Sequence, residues 1–276
     1  MAVLNSNLAQ AWTPEDYGNL IDLVIAEKSI AFQAGTVVQT GSETVRFPML
    51  TADPAVGWYA ENSQISLTDP SNTELVIVPK KVAGLTQSSN EAIEDSNPAV
   101  ATVIGTALAR SIAKKIDTAF FANTTSNGPS GILSLTGINV VDTGTITWDS
   151  LDPIHQAKHD ALADGANLTH IILAPDVALK LATAKETEAS FKGLLDNVAD
   201  GVSLAGLKLL VSTDVATGNA WAVDSSQVIV VQRTGTKIVK SDQAAFDYDG
   251  VQIRATSRVS WGFANPAGVV RLYDAA

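Results

Sequence analysis

The residues best able to do chemistry in this chain are its three histidines. His155 and His159 stand four apart, a spacing that puts both on one face of a helix, and His170 follows in the next segment. A zinc site needs a third and a fourth ligand in tetrahedral array, and no glutamate follows the first histidine as it does in a zinc hydrolase. The pair reads as a solvated surface pair. Glu91, Glu94 and Asp95 form the densest carboxylate group and could serve as acid and base, but they stand just before a helical stretch, where the helix dipole alone accounts for negative charge. No Gly-x-Ser-x-Gly nucleophile turn and no glycine-rich, lysine-containing phosphate loop is present. The chain has no cysteine, which excludes disulfides, thiolate metal sites and cysteine catalysis. Asn123-Thr-Thr and Asn167-Leu-Thr match glycosylation acceptors, a pattern that carries information only in a secreted chain. A metal- or carboxylate-dependent hydrolase built on His155, His159 and nearby acids is the enzyme reading these residues support. With so incomplete a constellation, no residue is assigned a catalytic, cofactor-binding or metal role.

The elements that would hold such residues speak more clearly. A long amphipathic helix is predicted over residues 98–121, with Asn97 as N-cap and Pro98 at the first helical position, where its missing N–H costs nothing. Val103, Ile104, Leu108, Ile112 and Ile116 recur at helical spacing and form its packed face, continued by Ala119 and Phe120. Arg110, Lys114, Lys115 and Asp117 are assigned to the solvated face. At 1.5 Å per residue the helix is roughly 36 Å long, enough for a spine. It is stopped by Asn123-Thr-Thr-Ser-Asn-Gly128-Pro129, a dense run of turn formers.

The chain has 276 residues, of which 46% are hydrophobic, enough for a substantial core. No apolar run is long enough to span a membrane, and no basic-then-apolar signal opens the chain. The formal net charge of −11 argues against a surface made to neutralise phosphates.

The stretch Gly84-Leu-Thr-Gln-Ser-Ser-Asn-Glu91-Ala-Ile-Glu94-Asp95-Ser96, the long helix with Lys115-Ile-Asp117 near its end, and Pro129-Ser-Gly131-Ile-Leu133 together resemble the central signature of tailed-phage major capsid proteins of the Hong Kong 97-like fold. The resemblance implies an α+β chain made of an N-terminal arm (1–35), an extended hairpin loop (36–86), a peripheral domain (87–147) carrying the spine helix, an inserted α/β axial domain (148–232) and a return to the peripheral domain (233–276). Residues from Leu20 to Ile25 suggest a short helix in the arm. In the hairpin, Thr44–Met49 alternates as a strand, and Leu75–Val78 continued by Lys80–Leu85 makes its return. Val56-Gly-Trp58-Tyr59-Ala-Glu61-Asn-Ser-Gln-Ile65 is similar to the aromatic-then-acidic segment of the family's loop. One branch of the family cross-links a hairpin lysine to a neighbour's asparagine. Here no lysine lies between Met49 and Pro79, so no catalytic residue is carried over.

In the inserted part, Asp149 is expected to cap a helix running to about Ala163. A strand follows at His170–Leu173, then a helix opened by Pro175-Asp176, a polar helical stretch from Glu186 to Val198, and strands at Leu207–Val211, Ala220–Val223 and Val228–Gln232. Trp148-Asp-Ser-Leu151, Leu173-Ala-Pro175 and Ser203-Leu-Ala-Gly206 are similar to the family's axial domain, with Leu207 where the family usually has proline. After Arg233, Asp249-Gly250 marks a hairpin turn, and Val269–Tyr273 is expected to complete the sheet packed on the long helix. Arg254 and Arg258, followed by Asn265-Pro266-Ala267, are similar to the family's closing segment.

The resemblance therefore implies a structural protein rather than an enzyme, needing no cofactor. Copies would join as pentamers and hexamers into an icosahedral shell that encloses phage DNA without sequence-specific binding and without a membrane. Trp12, Trp58, Tyr59, Glu61, Ile65, Arg254 and Arg258 are the candidate inter-subunit contacts. A scaffolding protein, a portal and decoration proteins are further candidate partners. The short lead from Met1 into the fold is expected to leave no room for the long scaffolding extension that some members cleave, which fits either a separate scaffolding protein or a chain already processed. Assembly would take place in the bacterial host cytoplasm and the product would be the virion capsid. An encapsulin-type nanocompartment shell is the alternative of the same fold, with protein cargo in place of DNA.

Overall fold

The computed structural model describes residues 22, 25–52, 55–65, 67, 71–89, 99–144, 147–184, 196–198 and 201–275. A short helix, α1 (Ile30–Ala34), leads into β1 (Thr36–Thr40), β2 (Val45–Ala52), β3 (Ser71–Ile77) and β4 (Lys80–Ser89). The long helix α2 spans Ala99–Phe121 and is followed by β5 (Asn139–Asp142), α3 (Asp152–Ala163), β6 (His170–Leu173) and α4 (Pro175–Thr183). Then come β7 (Asp196–Val198), β8 (Gly201–Leu204), β9 (Leu207–Val211), β10 (Ala220–Val223), β11 (Val228–Arg233), β12 (Lys237–Ala245), β13 (Gly250–Phe263) and β14 (Val270–Tyr273).

These strands form two main sheets and one hairpin. In the first sheet β13 is the trunk: β4 runs along one of its edges, while β12 and then β11 run along the other, and β1 adds parallel to β11. The inner face of β13, with Val251, Ile253, Ala255 and Val259, is buried. Ile112, Ala113, Ile116 and Phe120 of α2 belong to the same hydrophobic core as Ala255 and Val259. Near the end of α2, Phe120 meets Phe121 and Trp261 edge-on, each at 5.2 Å between ring centroids, and Phe263 at 6.0 Å. A Cβ at Gly131 would fall inside the carbonyl oxygens of Ala119, Phe120 and Ala122, so the chain can leave the helix this closely only at a glycine.

The second sheet has the order β5-β14-β10-β6-β9-β8-β7. Its centre reads as a continuous apolar run because both faces are covered: Ile171, Ile172 and Leu173 of β6 are fully buried, as are Ile154, Ala157 and Ala161 of α3 and Val177 and Leu181 of α4. β2 and β3 pair only with each other, in register from Val45 opposite Ile77 to Ala52 opposite Ser71.

Several expectations are corrected by the strand pairing. Val269–Tyr273 does not complete the sheet under α2; β14 lies antiparallel to β10 and parallel to β5, so both ends of the supposed peripheral part feed the second sheet. Conversely, Val228–Gln232 leaves the inserted unit and pairs with β1 and β13. Alternation marks a strand but carries no information about which sheet edge it will meet. The extended hairpin is narrower than 36–86, since β1 and β4 belong to the first sheet and the return strand breaks at Val78-Pro79. Ser150, not Asp149, serves the start of α3, its hydroxyl accepting from the Asp152 N–H at 3.2 Å. The left-handed position of the 249–250 turn is held by Asp249 itself, at φ 46°. Within Glu186–Val198 the described residues are those of β7, a strand, and the remainder lies outside the described residues. Asn97, Pro98 and the side chain of Val103 also lie outside them. Ile112 and Ile116 are buried as expected, whereas Ile104 and Leu108 are half-buried.

Asp117 is the largest correction. It is buried rather than solvated, 5% exposed, at the foot of the N-terminal segment. Ser29 Oγ donates to its Oδ1 at 2.6 Å, the Ala31 N–H to the same oxygen at 3.1 Å and the Ile30 N–H to Oδ2 at 3.0 Å. The carboxylate thus satisfies the N-terminal donors of α1, which has no side-chain cap of its own. Asp22 makes a second anchor, accepting from Gln232 Nε2 at 2.9 Å and from the Thr236 N–H at 3.0 Å.

Two expected outcomes follow from this packing. Ile112→Asp places an unpaired charge in the contact of α2 with the first sheet and should abolish folding; a soluble variant with a native circular dichroism spectrum would show that the helix face is misassigned. Burial raises the Asp117 carboxyl above its ordinary 3.8, overcoming the lowering by Ser29, Ala31 and Ile30, and the charge of Asp214 adds to the rise. The folded chain therefore keeps this proton to higher pH than the unfolded chain. Its pH-linked contribution is complete below the unfolded value and declines as pH rises through the raised one. Asp117→Ala strands a hydroxyl and two N–H groups and should cost about 2–4 kcal/mol at neutral pH. Denaturant melts from pH 4 to 7 should also lose that decline, about one group's worth. An unchanged pH profile would show that Asp117 does not titrate in this range.

Candidate functional site

The hairpin tip is the part of the molecule whose exposure its own fold does not explain. β2 and β3 hold it away from both main sheets in pairing, and the register sets Arg46 opposite Val76 and diagonal to Glu74, with which its Nη1 forms an exposed ion pair to Oε2 at 3.0 Å. Beyond the strands, Ser63 donates to the Ala60 carbonyl from both its N–H, at 3.1 Å, and its hydroxyl, at 2.8 Å. Asn62 takes a left-handed conformation, φ 63°. This turn carries Glu61 outward and sets Trp58 and Tyr59 before it and Ile65 after it. Trp58 is 106% exposed, Leu67 92%, Ile65 70% and Tyr59 41%. At about 25 cal/mol per Å² of apolar surface, covering one indole of some 200 Å² would contribute several kcal/mol. The exposed apolar groups of the tip thus stand next to one carboxylate, that of Glu61.

The remaining sequence-predicted contacts sit elsewhere. Arg254 and Arg258 are exposed on β13, on the face turned away from α2. Trp12 lies outside the described residues. The residues of potential chemistry do not converge: His155 and His159 are exposed on α3, and among the described residues no group of three or more His, Asp or Glu is placed to hold a metal ion. His170, on β6, has its Nδ1 2.9 Å from Thr169 Oγ1. Burial and the nearby Lys208 charge lower its pKa, which favours the neutral ring. Glu91, Glu94 and Asp95 lie outside the described residues.

Lys28, Arg110 and Lys114 line a cleft of about 250 Å³ over Asp117 and Asp214, between the N-terminal segment, α2 and the end of β9. Sequence reasoning missed Asp117 and its partner Ser29, although the signal was present: Ala113, Ile116, Asp117 and Phe120 follow i, i+3, i+4, i+7 and so share the buried stripe. Asp22 left no such signal, because its partners are 210 and 214 residues away.

No helix among the described residues is long and apolar enough to cross a membrane. The model of the phage capsid family matches residues 12–273. A capsid polyprotein of Pseudomonas phage PAJU2 is 25% identical over 211 residues, which are 72% of this chain and 31% of that protein. The chain thus spans about a third of the length of the curated relative it matches. Among solved structures, the capsid of a native GTA particle superimposes with a TM-score of 0.72 at 18% identity, over 88% of this chain and 89% of the other. A chain of Microbacterium phage Oxtober96 gives 0.73 at 18% identity, over 89% and 91%. These likenesses establish the α+β architecture as Hong Kong 97-like. With the family model matched over nearly all of its length, on that architecture and with an exposed apolar hairpin, this chain belongs to the phage capsid family.

Proposed function

We propose that the chain is the major capsid subunit of a tailed phage or a close relative, and that its copies join as pentamers and hexamers into a closed icosahedral shell around packaged DNA. The observation that carries this reading is the hairpin tip: Trp58, Ile65 and Leu67 stand in solvent beyond a two-stranded ribbon whose base packs on β13, and an exposed apolar cluster of this kind marks an interaction site. A neighbouring copy that covered Trp58, Tyr59, Glu61 and Ile65 would supply the missing packing. The N-terminal arm, with Trp12, would lie along a neighbour in the same way. The unit built around the second sheet would meet its copies at the five-fold and six-fold centres, and the part built around α2 would meet at the local three-folds. The strand pairing supports this division: β1, β4 and β11 go with the α2 part, and β5 and β14 go with the unit built around the second sheet. The work is geometric and calls for no catalytic residue. An acidic chain, at −11, suits a wall that holds DNA without adhering to it. A scaffolding protein, a portal and decoration proteins are the further partners of this reading, assembly would take place in the host cytoplasm, and the virion is the destination.

Electron microscopy of the purified chain, with light scattering across concentration, tests the proposal. Closed shells or rings of five or six subunits are expected, with nucleic acid inside shells isolated from the host; protein cargo would point instead to a nanocompartment. A chain that stays monomeric throughout, alone and when co-expressed with its scaffolding protein, would overturn the shell reading. Trp58→Asp with Ile65→Asp should leave the subunit's own stability within about 0.5 kcal/mol, because both side chains are exposed, while abolishing assembly. Shells of normal size from that variant would remove the hairpin from the interface.

A further inference from the structure

The outer face of the first sheet carries a concentration of positive charge that the fold does not use. Residues directly opposite each other in a sheet project to the same side, so the register places Arg258 beside Lys81, Thr256 beside Ala83 and Lys237, and Arg254 beside Leu85 and Val239. Gln252 and Gln87 close the row, with Gln252 Nε2 donating to Gln87 Oε1 at 3.1 Å. Arg254 and Arg258 are about 13 Å apart along the strand at roughly 3.3 Å per residue, and Lys237 lies on the diagonal between them. Lys81, Lys237, Arg254 and Arg258 are all exposed, and none of them forms an ion pair among the described residues. No residue at these paired positions is acidic.

Two features make this more than a solvated face. Arg258 and Lys81 are like charges directly opposite each other, an arrangement that destabilises a sheet unless an anion lies over the pair. The chain as a whole has the opposite balance, with 29 acidic against 18 basic residues, so cations gathered without a carboxylate run against its composition. Leu85 and Val239, 62% and 45% exposed, lie among the four cations. That mixture of apolar and cationic groups fits a protein surface better than a phosphate backbone, which offers nothing to bury against leucine and valine.

We infer that this face, centred on Arg254 and Arg258 and completed by Lys81 and Lys237, is a docking surface for an acidic surface of a second copy of the chain. The inference rests on the shell reading above and deepens it: it gives two of the arginines a partner chemistry and adds two lysines that sequence reasoning did not single out. A copy carrying a net charge of −11 supplies carboxylates in excess, and in a shell it is the neighbour present at the highest concentration. Like-charge repulsion within the face is relieved when those carboxylates arrive.

The test compares the parent chain with R254E/R258E and with Lys81→Gln, using sedimentation velocity across NaCl concentration and thermal melting of the unassembled subunit. Assembly of the parent should weaken as salt is raised, and charge reversal should reduce the assembled fraction about tenfold or more at low salt. The reversed subunit should melt no lower than the parent, and Lys81→Gln, which removes one of two facing cations, should melt at or above it. Carbodiimide coupling of mixed isotope-labelled and unlabelled chains should link Lys81 or Lys237 to an Asp or Glu of the other population. Parent-like assembly of the reversed chain with an unchanged salt response would overturn this inference and leave the shell reading standing. Loss of duplex-DNA retention on reversal, with assembly unaffected, would assign the face to nucleic acid instead. A parent chain that is monomeric under all conditions, co-expression with its scaffolding protein included, would overturn both readings together.

Discussion

The contact between the end of α2 and β13 is the constraint on which the rest of the molecule depends. Phe120 sits fully buried against Trp261 and Phe263, and the same strand pairs with β4 on one side and with β12 and β11 on the other. Its inner face is held by the helix, so its outer face must be the one that carries Arg254 and Arg258, because side chains alternate with a period of two. The helix therefore decides which charges the sheet presents.

The N-terminal segment depends on the same helix through a polar contact. Asp117 receives three donors from Ser29, Ile30 and Ala31, and Asp22 ties the chain to the β11–β12 connection. Both anchors lie at the foot of the segment. The hairpin follows the same principle with a different device: at its base, β3 packs on β13, where Gly262 leaves room for Ile77 and Leu75, and its tip is free of the subunit's own sheets in pairing.

Much of the fold was legible in the chain. Regular helical spacing over more than twenty residues located α2 to within one residue, and β-branched runs located most strands, because local periodicity is written by the face that must be buried. The exposure of the hairpin's aromatic and acidic residues followed from their place in a long polar connection, whereas the grouping of Lys81 and Lys237 with Arg254 and Arg258 did not, since a lysine on a strand reads as ordinary solubility until its cross-strand neighbours are known. Asp117 was misread because charge was given more weight than spacing. Its position among Ala113, Ile116 and Phe120 was available, and only the presence of Ser29 and two N–H groups, 86 to 88 residues earlier, shows why a carboxylate is accepted there.

What the sequence determined by itself was everything set by near neighbours in the chain: the long helix, the run of turn formers that stops it, the alternation of the strands, the acidic balance and the order of parts that marks the family. What only the tertiary structure decided was partnership. β11 and β14 are both short apolar strands, and nothing in their own residues assigns the first to β1 and β13 and the second to β5 and β10. The edge each one meets is fixed by where distant elements have already packed, and likewise a cation becomes part of a charged face only when register brings others beside it. Local free-energy preferences act within a few residues, whereas pairing depends on which surfaces remain uncovered once the core has closed.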